Sequence, residues 1–206
     1  MVKDGYRFAA PPLVAGLLCL IPHWYWAAGV LMVLGLFVCY FFRNPERTAP
    51  AEPGAVVSPA DGHVVAIIEE AFEGAPGRRI SIFLSIFDVH VQRAPLAGRI
   101  AKVVYKPGKF LGAYRHTASE LNEQNVIYMD TPHGRLVFKQ IAGAIARRVL
   151  CWKSEGEQVA LGERVGMIRF GSRVDVWMPL AAQIVATKGQ MVYGGESVLA
   201  KWNSTT

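Results

Sequence analysis

The chain is poor in cysteine. Its 206 residues contain three, Cys19, Cys39 and Cys151. There is no C-x-x-C pair, so neither a disulfide framework nor a thiol redox motif is written here. The usage suits a reducing compartment. Histidine, cysteine and carboxylates do not cluster at metal-ligand spacing, and no metal is implied. The G-x-S-x-G elbow of the α/β-hydrolases is absent. Basic and aromatic residues do not alternate, so the net charge of +6 does not point to nucleic acid. The largest gap is in charge itself: from Leu13 to Phe42 there is no Asp, Glu, Lys or Arg.

That gap is an apolar run long enough to cross a bilayer. Pro22 and His23 interrupt it, and Trp24, Tyr25 and Trp26 follow. Proline breaks helices, and aromatic residues collect at membrane interfaces. Either the segment from about Trp24 to Phe42 spans alone, or two short helices form a hairpin that dips in and returns. Positive charge on both flanks (Lys3 and Arg7, Arg43 and Arg47) favours the hairpin. A signal peptide is disfavoured, because the run is too long and no small-residue cleavage site follows. Residues 1–42 are therefore expected to be a hydrophobic helical membrane anchor. Leaving out Lys3, Arg7 and Asp4, the rest of the chain carries 20 Lys and Arg against 15 Asp and Glu. This excess suits an anionic lipid surface, with the globular part facing the cytoplasm.

Residues 43–54, RNPERTAPAEPG, form a Pro-rich linker. Beyond it, residues 55–206 read as a β-rich domain. VVAII (64–68), RISIFLSIF (79–87), IAKVVY (100–105), NVIYM (125–129), RLVFKQIAG (135–143), GMIRF (166–170) and VDVWM (174–178) are short, β-branched or aromatic, and bounded by turn residues. Arg147 to Trp152 is a further strand, and HTASELNEQ (116–124) holds a helical turn or two. The expected fold is mainly β, a barrel or sandwich. Gly156-x-x-Val159-x-x-Gly162-Glu163-x-Val165 recurs as Gly189-x-x-Val192-x-x-Gly195-Glu196-x-Val198, and Pro59-x-x-Gly62-x-Val64 recurs as Pro95-x-x-Gly98-x-Ile100. These spaced glycines resemble the hairpin turns of lipoyl and biotinyl carrier barrels. A non-catalytic, membrane-tethered adaptor barrel is thus one functional reading. However, the carrier lysine in M-K-M or D-K-A context is missing.

Three stretches carry chemistry. SPADGH (58–63) is an ordinary turn when read alone. In FDVHVQRAP (87–95), His90 sits between Val89 and Val91 and is expected to face away from them on a strand. In FGSRVDV (170–176), Gly171-Ser172 reads alone as a turn. Together they offer Asp61, His90 and Ser172, a set that activates a hydroxyl, with the aspartate orienting the histidine. A serine hydrolase is one use of that set. Another is attack of Ser172 on the carbonyl of Gly171, which breaks the chain and converts the serine into a pyruvoyl group.

These motifs, in this order, resemble the short form of phosphatidylserine decarboxylase, a pyruvoyl-dependent family. The resemblance rests on the apolar N-terminus, RNPxR, SPADG, FDVHVQRAP, NEQN (122–125), IAGxIARR (141–148), GERVGMIRFGS and GQMVYGGESV. It implies self-cleavage between Gly171 and Ser172 into a β subunit (1–171) and an α subunit (172–206), with Ser172 becoming the pyruvoyl cofactor. It implies roles in self-cleavage for Asp61 and His90. Its substrate is phosphatidylserine, and the product is phosphatidylethanolamine. The ketone condenses with the substrate amine and takes up the electron pair as carbon dioxide leaves; His90 is the first candidate to reprotonate the product. Longer members carry an extra histidine where this chain has Phe87. His63, His116 and His133 are nominal substitutes. Lys109 and Arg115 are candidates for the lipid phosphate or carboxylate. Arg173 is a candidate to position the cleavage point, and the arginines of RRV (147–149) read as structural. The two subunits form a heterodimer, and exposed sheet edges favour a higher oligomer.

Overall fold

The computed structural model describes residues 1–113, 117–144, 148–169 and 172–202. The chain divides into two units, Met1–Glu46 and Arg47–Thr206.

The first unit is a pair of helices, α1 (Lys3–Leu18) and α2 (Tyr25–Phe41). The break falls at Pro22 and His23, where His23 takes a φ of 63°. Small residues let the two helices close: a Cβ on Gly35 would lie 2.4 Å from Leu13 Cδ2, and one on Gly16 would lie 3.1 Å from Met32 Cγ. At the open end the Val2 N–H donates to the Phe42 carbonyl, and Phe8 stacks on Phe42. Helix α1 begins well before the apolar run and takes in Lys3, Asp4 and Arg7. Among the described residues no helix is long and apolar enough to cross a membrane.

The second unit is mainly β. Its strands are β1 (Ala55–Val57), β2 (Gly62–Phe72), β3 (Ala75–Leu84), β4 (Val91–Arg93), β5 (Gly98–Lys106), β6 (Gln124–Thr131), β7 (Gly134–Ala142), β8 (Val149–Cys151), β9 (Gln158–Val159), β10 (Arg164–Ile168), β11 (Ser172–Pro179), β12 (Ala182–Ile184), β13 (Met191–Val192) and β14 (Val198–Trp202), with one helical turn, α3 (Ala118–Leu121), before β6. The largest sheet runs β13-β2-β3-β11-β7-β6-β5-β9. It curls into a half-barrel and stays open, with β13 and β9 at its edges. Two three-stranded sheets, β1-β14-β12 and β4-β10-β8, complete the unit. Ile80, Ile82, Ile127, Met129, Phe138, Val174 and Val176 alternate along the large sheet and bury one face into the core.

The sequence echo is a structural duplication. Val57 N–H donates to the Pro95 carbonyl and Arg93 N–H to the Pro59 carbonyl, both at 2.8 Å. Gly156 N–H donates to Ile100 and Gly189 N–H to Val64; Gly162 N–H donates to Ala94 and Gly195 N–H to Ser58. Two copies of one motif thus exchange matched bonds. β1 with β14 and β2 with β13 form one copy, and β4 with β10 and β5 with β9 form the other.

Two expectations need correcting. The run 79–87 does not stay extended: β3 ends at Leu84, and a turn follows in which Asp88 N–H donates to the Ser85 carbonyl and Ser85 N–H donates to Asp88 Oδ2. His90 therefore precedes β4 and is not on a strand, and the alternation around it fails. Val89, His90 and Val91 are all buried.

Candidate active site

β11 lies between β3 and β7 in the middle of the large sheet. Its first residue, Ser172, is in register with Leu84 on β3 and Ala142 on β7. One row further in, His63 of β2 faces Phe83, which faces Arg173. Ser172 and the SPADG turn before β2 thus share one end of the sheet, two strands apart, on the order of 10 Å. His90 reaches the same end through β10: its carbonyl accepts from Ile168 N–H, and Ile168 lies just upstream of Ser172.

The Ser172 hydroxyl is buried, and Oγ has no hydrogen-bond partner among the described residues. Such an orphan costs about 1–3 kcal/mol. A catalytic role is one explanation of such a group.

His90 is fully buried, and its Nδ1 lies 2.9 Å from the Asp88 carbonyl. A proton on Nδ1 leaves the lone pair on Nε2, the form a general base needs. The backbone of His90 is fixed by buried amides. Asn125 Nδ2 donates to Gln140 Oε1, Gln140 Nε2 to Gln92 Oε1, and Gln92 Nε2 to the His90 carbonyl.

Asp61 is 5% exposed, and both its oxygens are engaged: Gly194 N–H donates to Oδ1 at 2.7 Å, and Arg47 Nη2 donates to Oδ2 at 2.9 Å. The next residue must be glycine. Gly62 has a φ of 144°, and a Cβ there would lie 2.2 Å from the Phe83 carbonyl oxygen.

Lys109 is exposed, and its backbone is bound on both sides to the segment before β6: Lys109 N–H donates to Leu121 and Glu123 N–H to Lys109. Asn122 donates to the carbonyls of Leu111 and Ala142, tying this loop to the strand beside Ser172. Phe87 is 60% exposed in the turn after β3. His63 is exposed on β2, and His133 stacks on Trp202 in the turn after β6. Arg115, His116, Arg147 and Gly171 lie outside the described residues.

Arg173 and Asp175 point to the face of β11 opposite the core and are nearly fully buried. Arg173 Nε donates to Asp175 Oδ1 at 2.7 Å, and Arg79 Nη1 and Ser119 Oγ donate to Oδ2 at 3.0 and 2.6 Å. Arg173 Nη2 also donates to Ser81 Oγ. Burial pushes the Asp175 carboxyl up, but Arg173, Arg79 and the Ser119 hydroxyl override it and hold the group below the usual aspartate range. The stability it adds is complete above that usual range and is lost as pH falls through the depressed value. Asp175→Asn is expected to cost about 3–5 kcal/mol, because the buried Arg173 loses the carboxylate that Nε binds and Arg79 keeps only Glu70, at 3.0 Å from its Nε. Urea midpoints of both proteins across acid pH check this, and the gap between them narrows as pH falls.

Sequence reading did not foresee the parts played by Arg47, Asp175 or the Gln92–Gln140–Asn125 chain. RNPxR and NEQN stand out in the sequence as motifs, but the pattern alone attaches no role to them. The family model described as phosphatidylserine decarboxylase matches residues 34–200.

Proposed function

The chain belongs to the phosphatidylserine decarboxylase family, and on that premise we propose that it cuts itself between Gly171 and Ser172, with the new amino terminus becoming its pyruvoyl cofactor. Membership makes it an enzyme, a carboxy-lyase acting on phosphatidylserine. The observation that carries the proposal is the buried Ser172 Oγ at the head of β11, without a partner among the described residues. A cofactor built from this serine fits residues that are present: a hydroxyl with no competing acceptor among the described residues, preceded in sequence by a glycine, which has no side chain.

His90 takes the Oγ proton, and Oγ attacks the Gly171 carbonyl carbon. The Ser172 nitrogen leaves that carbon and is protonated, so the peptide becomes an ester. Loss of the Ser172 α-proton then breaks the Cβ–Oγ bond and frees the Gly171 carboxylate. Water adds to the dehydroalanine that remains, and ammonia departs. The balance is one water consumed and one ammonia released. Asp61 contributes negative charge at the same end of the sheet and stabilises His90 while it holds the proton. When formed, the pyruvoyl group supplies an electron sink for carbon dioxide release. Lys109 and Arg115 meet the anionic headgroup.

The apolar surface of α1 and α2 supports attachment to a bilayer. Ile21, Trp24, Tyr25 and Trp26 are 63–91% exposed around the turn, and Val14, Leu17, Leu18, Val30 and Val33 are exposed along the helices. The hairpin inserts from the cytoplasmic side, bringing the enzyme to its lipid.

The test is decarboxylation of phosphatidylserine vesicles, with and without hydroxylamine. Phosphatidylethanolamine should form, and hydroxylamine should stop it. Turnover indifferent to hydroxylamine and to borohydride contradicts the pyruvoyl assignment.

A further inference from the structure

Arg47 belongs to the stretch that composition marks as a linker, yet it is held in place. Nη2 donates to Asp61 Oδ2 at 2.9 Å and Nη1 to Glu196 Oε2 at 2.6 Å. Its guanidinium carbon lies 5.5 Å from the centre of the Tyr193 ring. The side chain is 15% exposed, and that of Asp61 is 6% exposed. One fork therefore spans two carboxylates, one from the SPADG turn and one from the turn before β14.

The duplication shows what this clamp is for. Asp61 falls where the other copy has Ala97, whereas Glu196 falls where the other copy has Glu163. The glutamate is thus part of the repeated scaffold. The aspartate is an addition to one copy, and it comes with a cation to hold it. Gly194 N–H holds Oδ1, and Arg47 holds Oδ2.

We propose that Arg47 is a positioning residue for self-cleavage, holding the Asp61 carboxylate in orientation and charge through Oδ2. This rests on the self-cleavage reading above. It adds a residue that acts through Asp61, its described contacts being Asp61, Glu196 and Tyr193. The planar fork matters for Asp61, because a guanidinium holds its donors in a fixed plane, whereas a lysine brings a single nitrogen on a freely rotating stem.

The experiment follows conversion of the full chain into two fragments by intact mass, in wild type, Arg47→Ala, Arg47→Lys and Glu196→Gln. Arg47→Ala should convert about 10- to 100-fold more slowly, the factor set by one hydrogen bond to a charged group. Arg47→Lys should fall between. Glu196→Gln, which leaves the Asp61 half intact, should stay within about twofold of wild type. Guanidinium chloride at millimolar concentration should speed Arg47→Ala, with sodium chloride giving no effect at matched ionic strength. A scaffold role alone has no reason to respond to guanidinium.

Wild-type conversion with Arg47→Ala at the same rate overturns the inference and leaves self-cleavage standing. Equal losses in Arg47→Lys and Glu196→Gln overturn it as well, and that pair decides the matter if Arg47→Ala does not fold. A wild type that never converts removes the reading on which the inference rests.

Discussion

Ser172→Ala is expected to leave one uncut chain of 22.6 kDa and no measurable release of carbon dioxide from phosphatidylserine. The loss is complete because one atom serves two steps. Without Oγ there is no ester, hence no elimination and no ketone. The fold should tolerate the change. Ser172 pairs with Leu84 and Ala142 through its backbone, and its hydroxyl has no partner to lose among the described residues. Removing a buried unsatisfied group is neutral or stabilising. A thermal midpoint equal to or above wild type, with no processing, is the expected pair of results. A variant that still splits at this position assigns the cut to an outside protease.

The second large effect falls on His90. His90→Asn is expected to slow self-cleavage by about 10²–10⁴-fold, the range for loss of a positioned general base. Asparagine is the informative replacement. Its amide N–H can donate to the Asp88 carbonyl as Nδ1 does, so the turn keeps its bond while the basic Nε2 position is lost. Conversion half-times from quenched samples measure the effect. Cleavage at the wild-type rate in His90→Asn transfers the base role to another group.

Much of this was legible from residue pattern, and the failures have physical causes. The runs at 64–68, 100–105, 125–129 and 174–178 fall inside strands, and 135–143 overruns β7 by Gly143 alone, because β-branched residues bounded by turn residues carry their signal locally. The strands β1, β9, β12, β13 and the five-residue β14 were not read. The first four are two or three residues long, and such strands are defined by their partner rather than their own composition. The duplication was visible because a positive φ demands glycine: Gly156, Gly162, Gly189 and Gly195 all take φ between 74° and 89°. Closure of a barrel did not follow from it, since strand count and curl are set by pairing along the whole sheet. The apolar run announced helices, but its length overstated each one, because Pro22 and His23 divide it. Family membership sets aside the carrier and the hydrolase.

Three candidates, Asp61, His90 and Ser172, were named from chemistry alone, and pairing brings their turns to one end of the large sheet. Their supports could not be named. Arg47 looked like linker charge, since nothing local says that an arginine among prolines meets a carboxylate from another turn. Asp175 carries no assignment from its sequence position. Its environment comes from Arg79 on β3 and Ser119 in α3, neither of which is near it in sequence. A comparison of the two repeats offers the missing signal for Asp61, because it stands where the other copy has Ala97.

The most direct test of the central claim is the mass of the smaller fragment of the purified wild-type protein, taken with and without borohydride. Self-cleavage through an ester predicts a fragment covering residues 172–206 that is lighter by one ammonia than the same peptide beginning with serine, and that gains two hydrogens on reduction. A fragment beginning with intact serine, or a folded protein that remains a single chain, contradicts it.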